Sequence, residues 1–390
     1  MSNAEQPIAA TDLLGDLDLK LPAGFELIAA DPKLGPQILS SLARMEERLA
    51  DAIAQTDHLA DLASRHLLSA GGKRVRPLLA LLCAAVDGEI NDDVIEAAVV
   101  VELTHLATLY HDDVMDDAPK RRGVDSAQMI WGNSVAILTG DLIFSRASLL
   151  VSELGTRPMK IQSQTFERLV LGQLFETTGP REAQELLDHY IAFIEGKTGS
   201  LIAAAGEYGS LLSGASEDVI SMVKAYGELV GVAFQLADDV IDIVSDGKTS
   251  GKTRGTDLRE GVDTMPVLLL RQALAAGELD AAGQAILSRL STGDLGDDEV
   301  LADVVDRLRS HPVLARTQQM AMDWARDAVA VLDGLEEAVV AGARERLEAG
   351  CAAAAGAGSG SRAGSETGVG TGTGAEAGTG TGASAGVGAG

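Results

Sequence analysis

Apolar residues recur every three or four positions along most of the chain, from about residue 37 to residue 348. Leu39, Leu42, Met45 and Leu49 form one such stripe, and a longer one covers residues 95–109. This spacing is typical of helices that bury one face. Alternating apolar and polar runs rich in β-branched residues are scarce, so a sheet is not expected. The sequence therefore predicts an all-α fold, a single large helical bundle.

The helical pattern is absent from both ends of the chain. Residues 1–36 are polar and contain several prolines, which predicts a polar N-terminal arm before the helical domain at 37–350. Residues 351–390 consist mainly of glycine, alanine, threonine and serine. Such a composition buries no core, so we expect this segment to be a disordered tail.

Charge and composition exclude several classes of protein. The 390 residues include 31 basic and 58 acidic ones, a formal net charge of −27, so nucleic-acid binding is not expected. Cys83 and Cys351 are too few for a disulfide framework. The first residues lack the order of a signal peptide, and no uninterrupted apolar run approaches the roughly 20 residues of a membrane span. We expect a cytoplasmic protein without a transmembrane segment.

Two acidic segments repeat at a distance, HDDVMDD at 111–117 and ADDVIDI at 237–243. Each places Asp at positions i, i+1 and i+4 of an apolar helix, where like charges repel. A bound cation would neutralise them, and hard oxygen ligands suit Mg²⁺. The alternative is a solvated acidic face in an acidic protein. The candidate catalytic carboxylates are Asp112, Asp113, Asp116, Asp238, Asp239 and Asp242.

Basic residues lie in predicted loops or at predicted helix ends at four places: GGKRVRP at 71–77, RRG at 121–123, KTG at 197–199 and GK at 251–252. Guanidinium groups bind phosphate as a fork and lysine binds it as a point charge. The alternative is that these side chains only balance an acidic surface. His105 and Gln235 precede the two acidic segments on the same helices, although a lone histidine on an apolar helix is more often a core residue.

These segments, in this order, resemble those of trans-type polyprenyl diphosphate synthases: GGKRVRP, ELTHLATLYHDDVMD, RRG, KTG, GVAFQLADDVID and GKTRGTDLREGVDTMP. The resemblance implies a homodimer of all-helical subunits, with the two Asp motifs facing each other across a deep central cavity. It also implies Mg²⁺-dependent condensation of isopentenyl diphosphate with an allylic diphosphate primer. The all-trans product would suit delivery to a membrane.

The resemblance also assigns roles by position. It implies that Asp112, Asp116 and Asp238 are the principal Mg²⁺ ligands, supported by the other three carboxylates. The residues implied for the diphosphate of isopentenyl diphosphate are Lys73, Arg76, His105 and Arg122. Those implied for the allylic diphosphate are Arg121, Lys197, Thr198, Gln235 and Lys252.

Product length is expected to depend on the helix that carries Asp112. Ala107 and Thr108 lie about one turn before Asp112, and both are small, so a growing chain could pass them. This favours a medium- or long-chain product. The alternative is that Met129 or Phe144 closes the tunnel early and gives a geranylgeranyl-length product.

Two other functions compete with this interpretation. A class I terpene cyclase also ionises an allylic diphosphate at DDxxD but would not need Lys73, Arg76 and Arg122. A non-catalytic partner subunit of a heteromeric synthase would tend to lose Asp or Arg from the motifs, and this chain keeps them.

Overall fold

The computed structural model describes residues 25–181, 184–244 and 254–341, all of which belong to one compact unit. These ranges are almost entirely helical, which confirms the predicted all-α fold. The strands within these ranges are two, each two residues long, and they pair as one antiparallel hairpin in which Arg121 lies opposite Val124. This hairpin was not predicted, because strands of two residues are too short to show an alternating pattern.

The first half of the bundle leads to the hairpin and two long helices. Its elements are α1 (Glu26–Ala30), α2 (Leu34–Ile53), α3 (His58–Ser69), α4 (Val75–Asp87), α5 (Asp92–Met115), β1 (Lys120–Arg121), β2 (Val124–Asp125), α6 (Ala127–Trp131), α7 (Asn133–Glu153) and α8 (Thr156–Thr178).

The second half begins with a helix that passes into a π-helical turn. Its elements are α9 (Leu186–Ile194), the π turn Glu195–Gly199, α10 (Ser200–Leu212), α11 (Glu217–Val244), α12 (Thr256–Arg259), α13 (Met265–Ala275), α14 (Ala281–Thr292), α15 (Asp298–Ser310) and α16 (Pro312–Val331).

Side-chain caps fix the start of several helices. Asn91 accepts a hydrogen bond from the backbone N–H of Val94 at 2.9 Å at the start of α5. Asp57 caps α3 in the same way through Ala60, also at 2.9 Å. Such caps satisfy backbone donors that the first helical turn leaves without partners. The cap on α5 therefore helps to set the position of the first Asp motif at the other end of that helix.

Helix α5 is the central helix of the larger hydrophobic core. Apolar side chains cover it on all sides, and Leu103, Leu106 and Tyr110 are fully buried. A helix that is apolar all round belongs in the interior of a bundle. A second core lies among α9, α11 and α13–α16, around Leu236 and Leu269. The two Asp motifs therefore lie at the ends of helices from different cores.

Glycines allow two close helix contacts near these motifs. A Cβ atom at Gly209 of α10 would overlap the carbonyl oxygen of Ala80 in α4. A Cβ atom at Gly231 of α11 would overlap the backbone of Gly199 in the π turn. The second contact holds the KTG segment directly against α11, the helix of the second Asp motif.

Part of the predicted N-terminal arm is folded. Residues 25–36 contain α1 and the start of α2, and the N–H of Gly35 donates to the carbonyl oxygen of Asp31 at 3.1 Å. A Cβ atom at Gly35 would lie 2.9 Å from the carbonyl oxygens of Ile28 and Ala29, so glycine permits this tight turn. Residues 1–24 and the predicted tail at 351–390 lie outside the described residues.

Three helices in the described ranges are long and apolar enough to cross a membrane, judged by length and composition alone: α5, α7 and α11. The bundle buries 72% of the apolar window in α5, 39% in α7 and 44% in α11. Polar residues interrupt these helices, which is why the sequence shows no continuous apolar run of that length. The absence of a transmembrane segment stays a prediction.

The glycine contacts can be tested by comparing two substitutions in α10. Gly209→Ala should lower the melting temperature by several degrees, because the new methyl group meets a backbone carbonyl that cannot move alone; overpacking of this kind costs about 1–3 kcal/mol. Gly206→Ala meets the end of the Val223 side chain, at 2.8 Å, and should cost less. Equal melting temperatures of the two variants would contradict this account of the packing.

Candidate active site

The first Asp motif lies at the C-terminal end of α5. Asp112 is half-buried, Asp113 is buried and Asp116 is the exposed C-cap, whose N–H donates to the carbonyl oxygen of Asp112 at 2.8 Å. Arg121 Nε donates to Asp113 Oδ1 at 2.6 Å. The negative end of a helix dipole disfavours carboxylates. The motif therefore needs positive charge from neighbouring groups, and Arg121 supplies one.

A cavity of about 610 Å³ opens beside Asp112. Six of the residues predicted from the sequence line it together: Arg76, His105, Thr108, Asp112, Lys197 and Thr198. Its apolar walls come mainly from α7 and α8 and include Phe144, Phe166, Leu169, Val170 and Leu174. One space therefore joins two carboxylates, Asp112 and Asp141, two cations, Arg76 and Lys197, and a long apolar wall.

Arg76 and His105, both half-buried, form the basic part of this cavity. Burial lowers the pKa of Arg76, and its Nε has no hydrogen-bond partner among the described residues. Burial, followed by the charges of Arg76 and Arg122, lowers the pKa of His105 well below its usual value. His105 is therefore neutral at neutral pH, and Arg76 is a half-buried cation with an unused donor.

The hairpin positions two more arginines nearby. Arg122 takes up a left-handed backbone conformation, with φ +53°, and its Nη1 donates to the carbonyl oxygen of Leu67 at 2.8 Å. Its Nη2 lies 3.7 Å from Glu102 Oε1. Lys73 is exposed in the loop before α4. Lys73, Arg121 and Arg122 do not line the cavity itself.

The π turn holds Lys197 and Thr198. Lys197 Nζ pairs with the carboxylate of Glu176 on α8. Burial lowers the pKa of Lys197, but attraction to Asp112 and Glu176 outweighs it and the net pKa is raised. Thr198 Oγ1 donates to Gln235 Oε1 of α11 at 3.1 Å. This contact links the cavity to the helix of the second Asp motif.

The sequence interpretation missed Glu176 as a partner of Lys197. A single acidic residue ends the apolar run LVLGQLFE in α8, and that isolated charge was the available signal. The run gives no indication of which cation the carboxylate meets, because Glu176 and Lys197 lie 21 positions apart.

In the second Asp motif, two of the three carboxylates tie helices together. Asp239 is buried, and its Oδ2 accepts hydrogen bonds from the hydroxyl of Tyr190 at 2.5 Å and from the N–H of Met265 at 2.9 Å. Asp242 Oδ1 accepts from the N–H of Thr256 at 3.2 Å. Asp238 is half-buried on α11. None of the three lines the cavity.

Lys252, assigned to the allylic diphosphate, lies outside the described residues.

The donor set fits a divalent cation. Burial raises the pKa of Asp112 to about 6 and that of Asp239 to about 7. Asp113 Oδ2 and Asp239 Oδ1 are buried without a hydrogen-bond partner among the described residues. Within those ranges no group of three or more His, Cys, Asp or Glu side chains could hold a metal by itself. Mg²⁺ usually keeps waters and takes phosphate oxygens, so it needs only one or two carboxylates.

The structure corrects the prediction for Ala107. This residue is fully buried in the larger core and does not line the cavity, whereas Thr108 does. Successive residues of a helix are rotated by about 100°, so both cannot face the same wall. Met129 is exposed and does not line the cavity, whereas Phe144 does.

Removing the charge of Asp112 should stabilise the metal-free protein. Its pKa is raised to about 6, so ionisation penalises the folded state progressively as pH rises above the unfolded value of 3.8. Asp112→Asn should therefore raise the melting temperature in EDTA by several degrees at pH 8 and by less at pH 5.

The same variant should lose most of the melting-temperature increase that MgCl₂ gives the unmodified chain. Asp303→Asn, which removes a half-buried carboxylate that does not line the cavity and whose pKa Arg307 and Arg289 lower, is the control. An Asp112→Asn variant that is less stable than the parent in EDTA at pH 8 would contradict the electrostatic account.

Comparisons with known proteins agree with this geometry. The chain is 40% identical over 307 residues to a nonaprenyl diphosphate synthase of Mycobacterium tuberculosis, covering 78% of this chain and 89% of that protein. It is 32% identical over 273 residues to an octaprenyl diphosphate synthase of Escherichia coli, covering 70% and 83%.

A crystal structure of a geranylgeranyl pyrophosphate synthase of Corynebacterium glutamicum, complexed with calcium and isoprenyl diphosphate, is similar in fold. Its TM-score is 0.68 at 40% sequence identity, with 80% of this chain and 95% of that chain covered. The model of the Polyprenyl synthetase family matches residues 57–293. The chain therefore belongs to the polyprenyl synthetase family of prenyltransferases.

Proposed function

We propose that this prenyltransferase condenses isopentenyl diphosphate with an allylic diphosphate to make an all-trans polyprenyl diphosphate of medium or long chain, with Mg²⁺ as its metal. The observation that supports this most directly is the cavity that joins Asp112, Arg76 and Lys197 to a long apolar wall. A substrate with a charged head and a hydrocarbon tail matches that division.

The allylic diphosphate is assigned to Lys197, Thr198, Gln235, Arg121 and Lys252. Asp112, Asp116 and Asp238 would hold Mg²⁺, which when bound neutralises the charge that develops on the departing diphosphate. Glu176 and Asp112 keep Lys197 protonated, so its ammonium group can donate to a diphosphate oxygen. The hydrogen bond between Thr198 and Gln235 holds these two side chains in position for the allylic diphosphate.

The diphosphate of isopentenyl diphosphate is assigned to Lys73, Arg76, His105 and Arg122. Arg76 has an unused buried donor, and an anion would satisfy it. When the allylic carbon–oxygen bond breaks, the cation left behind is shielded from water by apolar walls that include Phe144 and Phe166. The isopentenyl double bond attacks that cation, and the released diphosphate takes up the proton lost in the last step.

Two observations bear on product length in opposite directions. Thr108 is small, and Val170 and Leu174 line the cavity while remaining half exposed, so this chain alone does not close the wall on α8. This favours a long product. Phe144 and Phe166, with ring centroids 4.2 Å apart, narrow the same cavity and favour a geranylgeranyl-length product as the second candidate.

A homodimer is also part of the proposal. Large apolar side chains are exposed on α7 and α8, among them Leu138, Leu149 and Leu171. Large exposed apolar side chains that form one patch usually mark a protein interface, and we infer that a second copy covers these. Light scattering of the purified chain should give the mass of two chains, and Leu138→Asp should shift it toward one.

The function is tested with the purified chain alone, radiolabelled isopentenyl diphosphate, an allylic primer and Mg²⁺. We expect label in a polyprenyl diphosphate longer than the primer. Label that appears only after a second protein is added would indicate a non-catalytic partner subunit. Release of a hydrocarbon from the primer without incorporation of label would indicate a terpene cyclase.

The two basic sets should affect different substrates. Arg76→Ala should raise the KM for isopentenyl diphosphate about tenfold or more, because it removes a buried charged donor. Lys197→Ala should raise chiefly the KM for the allylic primer. Arg289→Ala, which breaks an exposed ion pair with Asp303, is the control. Equal effects of each variant on both substrates would refute the assignment.

Product length should respond to Thr108 and not to Ala107. Thr108→Phe narrows the cavity and should shorten the dephosphorylated product seen by chromatography, with turnover of the primer retained. Ala107→Phe places a ring in the closed core and should lower the melting temperature instead. An unchanged product distribution in Thr108→Phe would refute the placement of the growing chain along this wall.

A further inference from the structure

A buried ion-pair network lies beside the basic part of the cavity. Arg74 pairs through Nε with Glu46 of α2, and its Nη1 donates to Glu102 Oε1 of α5 at 2.8 Å. The exposed fractions of the three side chains are 11%, 11% and 3%. Arg74 itself is the N-cap of α4 and has a left-handed φ of +50°. The network thus joins three helices at the loop that ends in Arg74.

This network contacts residues assigned to isopentenyl diphosphate. Glu102 Oε1, the acceptor of the Arg74 bond, also lies 3.7 Å from Arg122 Nη2. A Cβ atom at Gly72 would lie 2.5 Å from Arg74 Nη1 and 3.0 Å from Arg122 Nη2, so both guanidinium groups border the glycine loop. Arg76 lies two residues after Arg74, in the first turn of α4. Movement of Arg74 would therefore displace both neighbouring arginines.

The charges of the network are distributed unevenly. Arg74 meets two carboxylates, which together outweigh the effect of burial and raise its pKa. Burial lowers the pKa of Arg76 and outweighs the attraction of Glu102. Burial also lowers the pKa of Arg122 and outweighs the attraction of Glu102 and the weaker attraction of Tyr110. The uncompensated positive charge thus lies on Arg76 and Arg122. Arg74 already pairs with two carboxylates, Glu46 and Glu102, and is therefore poorly placed to bind phosphate itself.

We propose that Arg74 is a positioning residue: its contacts with Glu46 and Glu102 fix the loop at 71–74 and hold Arg76 and Arg122 in place for the diphosphate of isopentenyl diphosphate. This inference rests on the proposed function. Buried ion pairs contribute little net stability but leave a large penalty when one partner is removed, which suits a role in fixing geometry.

Glu46 provides a test in which two explanations predict opposite signs. If the network acted only through its charge, removing a negative group near an anion site would strengthen binding of isopentenyl diphosphate. If the network acts by positioning, removing the same group releases Arg74 and weakens binding. Glu46 lies on α2 and does not line the cavity, so its substitution leaves the reacting groups in place.

The experiment compares Glu46→Gln, Arg74→Lys and Glu96→Gln in steady-state assays of the full chain with Mg²⁺. We expect Glu46→Gln to raise the KM for isopentenyl diphosphate about tenfold, the loss of about one charged hydrogen bond. The KM for the allylic primer and kcat should stay within about twofold. Arg74→Lys keeps the charge but loses the planar fork, so it should raise the same KM.

Glu96→Gln is the matched control. Arg48 of α2 donates to Glu96 of α5 through Nε at 2.8 Å and through Nη2 at 2.9 Å, so this pair joins the same two helices. Among the described residues, no hydrogen bond or ion pair joins this pair to Arg74, Arg76 or Arg122. We expect Glu96→Gln to leave the KM for isopentenyl diphosphate unchanged.

Each other outcome overturns the proposal in a recognisable way. A KM for isopentenyl diphosphate that falls or stays constant in Glu46→Gln refutes positioning, and so does an equal rise in Glu96→Gln. If Glu46→Gln does not fold, an unchanged KM for isopentenyl diphosphate in Arg74→Lys refutes positioning. Failure of the unmodified chain to incorporate isopentenyl diphosphate would instead refute the proposed function.

Discussion

The constraint on which this site depends is the cost of holding like charges inside an apolar helical bundle. Asp112 and Asp113 end a helix whose remaining faces are apolar, and burial raises the pKa of both. Arg76 and Arg122 are subject to the opposite effect. Neighbouring groups offset these costs only in part, so net negative charge remains at the carboxylates and net positive charge remains at the two arginines. An anionic substrate and a divalent cation would together neutralise this remaining charge.

Helix packing determines which of these charges meet. Glycine at 231 lets α11 lie against the π turn, so that Thr198 reaches Gln235. The hairpin after α5 returns Arg121 to Asp113 and brings Arg122 toward Glu102. These contacts are local in space, although the residues they join range from 8 to 37 positions apart in the sequence. Rigid placement of this kind is what electrostatic stabilisation of a leaving group requires.

Several parts of the site were predictable from the sequence and others were not. The helical class and the acidic motifs followed from residue type and spacing, whereas Arg76, His105 and Lys197 were assigned through the resemblance to a family. The sequence did not indicate that Asp239 and Asp242 form hydrogen bonds between helices, because their partners Tyr190 and Thr256 lie on other elements. The position of Ala107 was predicted wrongly, since a difference of one helical position turns a side chain from the cavity to the core.

The helical class, the family and the chemical types present at the site can be read from the amino-acid sequence. These depend on local periodicity and on motifs whose residues are close together along the chain. The folded arrangement is needed to show which carboxylates face the cavity, which arginine pairs with two glutamates, and which small residue borders the apolar wall. Burial and pairing decide those outcomes, and both depend on helices whose contacts the linear sequence does not specify.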